Sequence, residues 1–261
     1  MDELQRFSLS GRAAIVAGGS GGIGVRACAA LARVGADVAI IGRSPRGLDK
    51  ARQAVESAGR KPLVISGDMA SAGDADRAVE ETLQAFGRVD VLINGIGGGA
   101  GTALYPAQDY PKSEWDRIVD LNLTTTLLPS QATARAMINS GRGGSILNIS
   151  SVRGQLGINA GYSAYVAAKG ALDALTRQHA TEWAKYGIRV NAISPTFVRT
   201  PQTASLLADP EFYDRLVARI PLHRIAESDD LVGAILFFCS DASAFVTGQI
   251  LTLDGGLTAT Q

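Results

Sequence analysis

Tyr165 stands four residues before Lys169 in the stretch GYSAYVAAKG, residues 161–170. On a helix, that spacing puts a phenol and an ammonium on one face, one turn apart. Tyr162 shares the face more distantly, nearer the preceding loop. A free phenol has a pKa of about 10, so proton exchange near neutrality requires a drop of about 3 units, or about 4 kcal/mol. One ammonium about 4 Å away supplies about 4 kcal/mol at an effective dielectric near ~20. Lys169 is therefore expected to lower the Tyr165 pKa enough to make it an acid–base group, with Tyr162 as a packing or substrate-loop aromatic.

A second constellation is the glycine loop AGGSGGIG, residues 17–24, directly after an apolar run. Two spacings fit a dinucleotide-binding turn: Gly19-x-Gly21-x-x-Gly24, and Gly18-x-x-x-Gly22-x-Gly24. In either one, glycines allow the backbone to approach a pyrophosphate closely, and a helix N-terminus supplies N–H donors. Candidate cofactor contacts here are Gly18, Ser20, Gly21, Gly22, Ile23 and Gly24. An NAD-selective site usually carries an acid about 20 residues further on, at the end of the second strand. Here that strand ends in Gly42, Arg43 and Ser44. An arginine in that place suits a 2′-phosphate. The expectation is that NADP(H) is preferred, with NAD(H) as the alternative.

These groups need a scaffold that brings them together. Short β-rich runs at 13–18, 36–42, 62–66, 89–95, 145–150, 188–194 and 249–255 alternate with helical patterns at about 22–34, 45–58, 74–86, 113–139, 162–186 and 227–239. A weaker helical pattern covers 203–218. Strands separated by helices imply βαβ units and a parallel sheet. Runs such as AAIVA are apolar throughout, as strands covered on both faces must be. The expected fold is α/β, a Rossmann-type doubly wound parallel sheet of about seven strands with helices on both faces. The whole chain, 1–261, reads as one dinucleotide-binding catalytic domain.

Bulk composition excludes other classes. Lys+Arg and Asp+Glu balance at 25 each in 261 residues, so no basic field points to nucleic acid or an anionic membrane. The first dozen residues lack the apolar core of a secretory signal, and no run is long enough to span a membrane. Cys28 and Cys239 sit in apolar surroundings and read as buried free thiols. With only two histidines beside them, no dedicated metal site is expected. The reading is cytoplasmic.

The motifs taken in order resemble the short-chain dehydrogenase/reductase family, in its compact single-domain form. They are GGSGGIG at 18–24, GDM at 67–69, NGIG at 94–97, LNL at 121–123, ISS at 149–151, YVAAK at 165–169, NAISPTFVRT at 191–200 and LDGG at 253–256. The resemblance runs from about residue 7 to the C-terminus. It implies a catalytic tetrad of Asn122, Ser151, Tyr165 and Lys169. It also implies that Asp68, beside Met69, accepts from the adenine and that Asn94 and Gly95 pass beside the adenosine ribose. Lys169 would bond the nicotinamide ribose, and Pro195, Thr196, Val198 and Thr200 would flank the nicotinamide. Asn122 would hold a water linking Lys169 to solvent. The resemblance assigns Ser151 over Ser150 because Ser151 stands directly before VRG, and strand alternation turns only one of the two toward the site. Thr196 and Gly95-Ile96 depart from the family's usual residues.

Substrate loops are expected at about 96–112, 152–162 and 196–226, with Arg153, Gln155 and Tyr162 as candidate substrate contacts. The implied reaction is hydride transfer between a nicotinamide and a secondary alcohol or ketone, such as a polyol, sugar acid or hydroxy acid. A 3-oxoacyl thioester reductase of the acyl-carrier-protein type is the alternative. A nucleotide-sugar epimerase or dehydratase and a non-catalytic nucleotide sensor are further ones. A small-residue face, Ala164, Ala167, Ala168, Ala171 and Ala174, together with the family resemblance, points to a homotetramer or homodimer.

Overall fold

The computed structural model describes residues 3–260. The first half of the chain forms β1 (Ala13–Ala17), α1 (Gly22–Arg33), β2 (Asp37–Gly42), α2 (Pro45–Glu56), β3 (Leu63–Ser66), α3 (Ala72–Phe86) and β4 (Val91–Asn94). The second half forms α4 (Lys112–Val119), α5 (Thr125–Ser140), β5 (Gly144–Ile149), α6 (Ser163–Trp183), β6 (Ile188–Pro195), β7 (Val198–Arg199), α7 (Ala204–Leu207), α8 (Pro210–Val217), β8 (Ala226–Glu227), α9 (Val232–Cys239) and β9 (Ile250–Leu253). Seven strands make one parallel sheet in the order β3-β2-β1-β4-β5-β6-β9. The order reverses between β1 and β4, which opens a crevice beyond the carboxyl ends of those strands. No described helix is long and apolar enough to cross a membrane.

The apolar strands are buried on both faces. Ala14 and Val16 of β1, with Val38 and Ile40 of β2, pack against α1, α2 and α9. Ile15 and Ala17, with Ala39 and Ile41, pack against α3 and α5. The period of two thus feeds two cores from one strand. Fully burying a side chain such as Phe238 or Leu92 contributes about 1.5–3 kcal/mol. Cys28 and Cys239 are free and buried in the first core. Burial pushes the Cys239 thiol up to about 12, and that of Cys28 further still, so both act as apolar filling.

Two expected elements differ in detail, and one pair of strands is new. The single helix read over 113–139 is two helices joined by a π turn, Asp120–Thr124, with Asn122 inside it. The hydroxyls of Thr125 and Thr126 donate to the carbonyls of Leu121 and Asn122 just after the turn. Pro129 then removes one more backbone donor from α5. The pattern at 203–218 splits into α7 and α8, because Asp209 caps the N–H of Glu211 at 3.0 Å and Pro210 starts a new helix. The two-residue strands β7 and β8 pair with each other and were not foreseen, being too short to carry a pattern.

Buried amides stitch the two sides of the crevice. Asn94 and Asn148 are register partners on β4 and β5. Asn94 Nδ2 donates to Ser130 Oγ at 2.8 Å and to Asn148 Oδ1 at 2.9 Å, and Asn148 Nδ2 donates to Thr176 Oγ1 at 2.9 Å. Replacing Asn148 by Ala strips partners from two buried groups. Asn94 Nδ2 keeps Ser130 and Thr176 Oγ1 keeps Leu172 O, so two hydrogen bonds are lost at about 0.5–1.5 kcal/mol each, and urea unfolding of Asn148→Ala is expected to show a loss of about 1–3 kcal/mol. A loss under about 0.5 kcal/mol, the size of an ordinary surface substitution, would show that the network adds nothing.

Candidate active site

The loop after β1 is shaped by what its glycines touch. Gly18 has φ +86°, and a Cβ there would lie 2.7 Å from the Gly95 carbonyl carbon. A Cβ on Gly22 would lie 2.8 Å from Thr200 Cβ, and one on Gly24 would run into the Gly18 backbone. Gly19 is crowded too, with a Cβ 2.6 Å from Ile40 Cγ2, but Gly21 has room for one, 3.4 Å from Gly18 O, so the Gly18/Gly22/Gly24 spacing is the one in which every glycine is pressed by a neighbour. Gly21, the N-cap of α1, carries no side-chain cap, so N–H groups of the first turn are left for an anion. This cradle of backbone and uncapped helix end fits a dinucleotide pyrophosphate. Ile23 packs on the adjacent core, and Val198 is buried in it. Pro195 ends β6, Thr196 donates its N–H to Leu253 O, and Thr200 lies against Gly22, so 195–200 forms the opposite wall.

At the adenosine end, Arg43 lies 3.6 Å from Asp68, and both are well exposed. Ser20 fills the space beside Gly42: a Cβ at position 42 would lie 2.7 Å from Ser20 Cβ. A carboxylate there would have to displace Ser20, which gives a steric reason for the glycine. Ser44 Oγ accepts from Gly47 N at 3.2 Å, so it caps α2. Two expectations change. The Met69 side chain is fully buried in the core, so only its main chain is placed to reach a ligand. The Asn94 side chain is turned into the buried network, so only the backbone of Asn94 and Gly95 borders the crevice.

The four tetrad candidates converge at the crevice floor. Lys169 is 3% exposed and donates to Ile149 O at 2.9 Å. Its Nζ lies 5.8 Å from the Tyr165 ring centroid. Asn122 clamps the 97–99 loop: its Oδ1 accepts from Gly98 N at 2.8 Å, and its Nδ2 donates to Gly98 O and Ile118 O, each at 2.9 Å. A Cβ on Gly97 would lie 2.9 Å from Asn122 Oδ1 and 3.1 Å from Lys169 Nζ, so that loop is drawn down onto both groups. The clamp explains the π turn: the Asn122 amide serves Gly98 and the i−4 carbonyl at once. Asn122 thus fixes the 97–99 loop against Lys169.

The electrostatics correct one expectation. Burial pushes the Tyr165 phenol above its ordinary value; a hydrogen bond with Ser151 and the charge of Arg153 pull it back down in part. Lys169, whose ammonium donates to Ile149 O, does not reverse this. Burial lowers Lys169 itself to about 8, against the pull of Asp173. One dry pocket disfavours both charged forms.

The two serines separate as alternation requires. Ser151 hydrogen-bonds with Tyr165, and its Oγ also accepts from Arg153 N at 3.2 Å. Ser150 points the other way and donates to Asp173 Oδ1 at 2.6 Å. Asp173 is buried one turn after Lys169, and a Cβ on Gly154 would lie 3.2 Å from its Cγ. Asp173 therefore holds the loop on both sides of Ser151. Sequence reading missed it, although an acid at i+4 from Lys169 on an alanine-rich helix was a usable signal.

Among the substrate candidates, Tyr162 lines a cleft of about 940 Å³ with Leu104, Trp115 and Asn159. The N–H of Tyr105 donates to Gly161 O, tying two of the loops together. Arg153 is half-buried beside Tyr162 and Tyr165. Gln155 is exposed and donates to Thr252 Oγ1 on β9 at 3.4 Å, so its amide is spent there instead of on the crevice.

A family model described as enoyl-(acyl carrier protein) reductase matches residues 17–258. Gluconate 5-dehydrogenase of Gluconobacter oxydans is 38% identical over 258 residues, which is 99% of each chain. The structure of a gluconate 5-dehydrogenase from Burkholderia cenocepacia, in complex with NADP and tartrate, superposes with a TM-score of 0.91 at 33% identity, covering 99% of both chains. A short-chain type dehydrogenase/reductase from Mycobacterium marinum superposes with a TM-score of 0.92 at 32% identity, covering 99% of this chain and 100% of that one.

The buried lysine leaves a signature in stability. Its folded pKa of about 8 lies below the ordinary 10.5. Between these values the unfolded chain holds a proton that the folded chain has released, so stability rises with pH across the window. Below about pH 8 both states hold it and the penalty is constant. Relative to Lys169→Met, the wild type is expected to gain about 2–3 kcal/mol between pH 7 and pH 10. Unfolding titrations of both proteins measure this. Parallel pH profiles would mean that Lys169 is not held desolvated.

Proposed function

The chain belongs to the short-chain dehydrogenase/reductase family, and from that premise we propose that it is an NAD(P)-dependent alcohol dehydrogenase or carbonyl reductase. It acts on a secondary alcohol or ketone of the polyol, sugar-acid or hydroxy-acid class, with NADP(H) preferred over NAD(H). The observation that carries this reading is the convergence of Ser151, Tyr165 and Lys169 at the mouth of an uncapped glycine loop. The acid names of the relatives support the substrate class.

A bound nicotinamide supplies or accepts the hydride. Tyr165 gives the proton to the carbonyl oxygen, or takes it from the alcohol. Ser151 hydrogen-bonds the same oxygen and holds it within reach of the phenol. Lys169 would bond the nicotinamide ribose, with its ammonium over the Tyr165 ring. Asn122 keeps the 97–99 loop on Lys169. The raised phenol pKa suits the protonated, donating form of Tyr165.

Arg43 is the group placed to pair with a 2′-phosphate, and the absence of an acid at Gly42 favours the same coenzyme. The Burkholderia relative's complex with NADP agrees with this. We read the chain as one catalytic domain working in the cytoplasm. A homotetramer or homodimer built on the outward small residues Ala167 and Ala174 of α6 fits the surface, whereas Ala164 and Ala168 face their own core.

Tyr165→Phe is expected to bind coenzyme normally and lose at least about 10²–10⁴-fold in turnover, the range of general acid–base catalysis. Ser151→Ala should fall more than Ser150→Ala, because only Ser151 meets the phenol. Steady-state assays at 340 nm over a panel of sugar acids, polyols and acyl thioesters measure both. Retained activity in Tyr165→Phe, or the reverse order of the serines, would contradict the assignment. Arg43→Ala should weaken NADP(H) about 10- to 100-fold, as expected for one charge-assisted bond. NAD(H) should change little. A wild type that prefers NAD(H) and ignores Arg43→Ala would overturn the coenzyme reading.

A further inference from the structure

The arginines around the substrate loops are not alike. Arg199 pairs with Glu227 at 2.9 Å, and Arg224 pairs with Asp230 at 2.6 Å. Neither Arg153 nor Arg219 has a carboxylate partner among the described residues. Arg153 follows Ser151 by two residues, and its Nη1 reaches only the carbonyl of Gly157, at 3.2 Å. The residues beside these two arginines meet in one apolar cluster: Val152 packs with Leu216 and Ile220, which brings the loop after α8 onto the turn after β5.

That packing brings the two backbone segments together, and the charge of Arg219 acts on Arg153. The ionisable groups that act on Arg153 are Arg219, Tyr162 and Tyr165, with no acid among them. Burial and the neighbouring Arg219 charge both lower the Arg153 pKa. A half-buried guanidinium next to a second one is unfavourable unless an anion joins them. The planar guanidinium fork matches a carboxylate with two parallel bonds. Arg153 also acts on the Tyr165 phenol, so an anion held there lies near the proton-transfer site.

We propose that Arg153 and Arg219 form a carboxylate-binding subsite that grips the acid end of the substrate while its hydroxyl faces Tyr165. This rests on the oxidoreductase reading and narrows it from alcohols in general to hydroxy acids. Neutral polyols fit the catalytic end and leave the two cations unanswered.

The test compares D-gluconate with D-glucitol, the neutral polyol of the same carbon chain, as substrates for NADP+ reduction. The variants are Arg153→Gln, Arg153→Lys and Arg219→Gln. Arg219 is exposed, so its substitution leaves the folded state intact even if Arg153→Gln is damaging. The readout is the ratio of kcat/KM for acid over polyol. It is expected to favour gluconate in the wild type and to fall about 10- to 100-fold in each glutamine variant. Most of the fall should lie in KM, and Arg153→Lys should recover part of it. A general structural defect lowers both substrates together and leaves the ratio unchanged. An unchanged ratio in Arg219→Gln, or a wild-type preference for glucitol, would overturn the subsite and leave the oxidoreductase reading in place. A wild type that oxidises neither substrate, nor any other alcohol of the panel, would overturn both.

Discussion

Keeping an ammonium dry beside a phenol constrains everything around the crevice. Lys169 is almost fully buried on α6 and reaches a single backbone carbonyl, that of Ile149 at the end of β5. Burial penalises its charge, and the charge persists near neutrality only because its pKa settles at about 8. The neighbouring backbone must therefore come close without bringing side chains. Gly97 satisfies that demand, since a Cβ there would press on Lys169 and Asn122 together. Asn122 holds the loop in place from a π turn, a helix interruption of the kind found at functional sites.

Asp173 and Ser150 brace the opposite side. Their buried hydrogen bond fixes the residue before Ser151, and Asp173 also fills the space above Gly154, so Ser151 is held toward Tyr165. The same carboxylate opposes the loss of charge on Lys169. Further out, the buried amides of Asn94 and Asn148 join β4 to β5, and beyond them α5 and α6. The site is thus positioned by elements tied together through buried hydrogen bonds. Groups left open at the crevice are the uncapped end of α1 and the arginines without acids.

Much of this was legible in the sequence because it follows from period and spacing. The seven strand runs, the glycine loop and the Tyr165–Lys169 face depend on local patterns of apolar residues, turns and helical repeat. Alternation showed that only one of Ser150 and Ser151 faces the site, and the resemblance of the segment before VRG chose Ser151. What stayed hidden depends on partners distant in the chain. Nothing local marks the π turn, because its cause is Gly98, 24 residues before Asn122. Asn94 was read as passing beside the ribose; its amide answers Ser130 and Asn148, which leaves its backbone for that role. Met69 was read as a cofactor contact; its side chain is core, which leaves its main chain for that role. The direction of the Tyr165 shift was misjudged because the spacing fixes only the helix face. It does not fix the desolvation of the oxygen or the route of the lysine to Ile149.

The account stands on the state of one side chain. The protonation of Lys169 can be followed by NMR in protein carrying 13Cε-labelled lysine, with its signal identified by its loss in Lys169→Met. The expected midpoint is about 8, shifting downward when Asp173 is replaced by Asn, because that carboxylate supports the charge. A midpoint at the ordinary 10.5, unmoved by Asp173→Asn, would contradict the account. Lys169 would then be a solvated ammonium, and the loop, the π turn and the buried aspartate would need another reason to close around it.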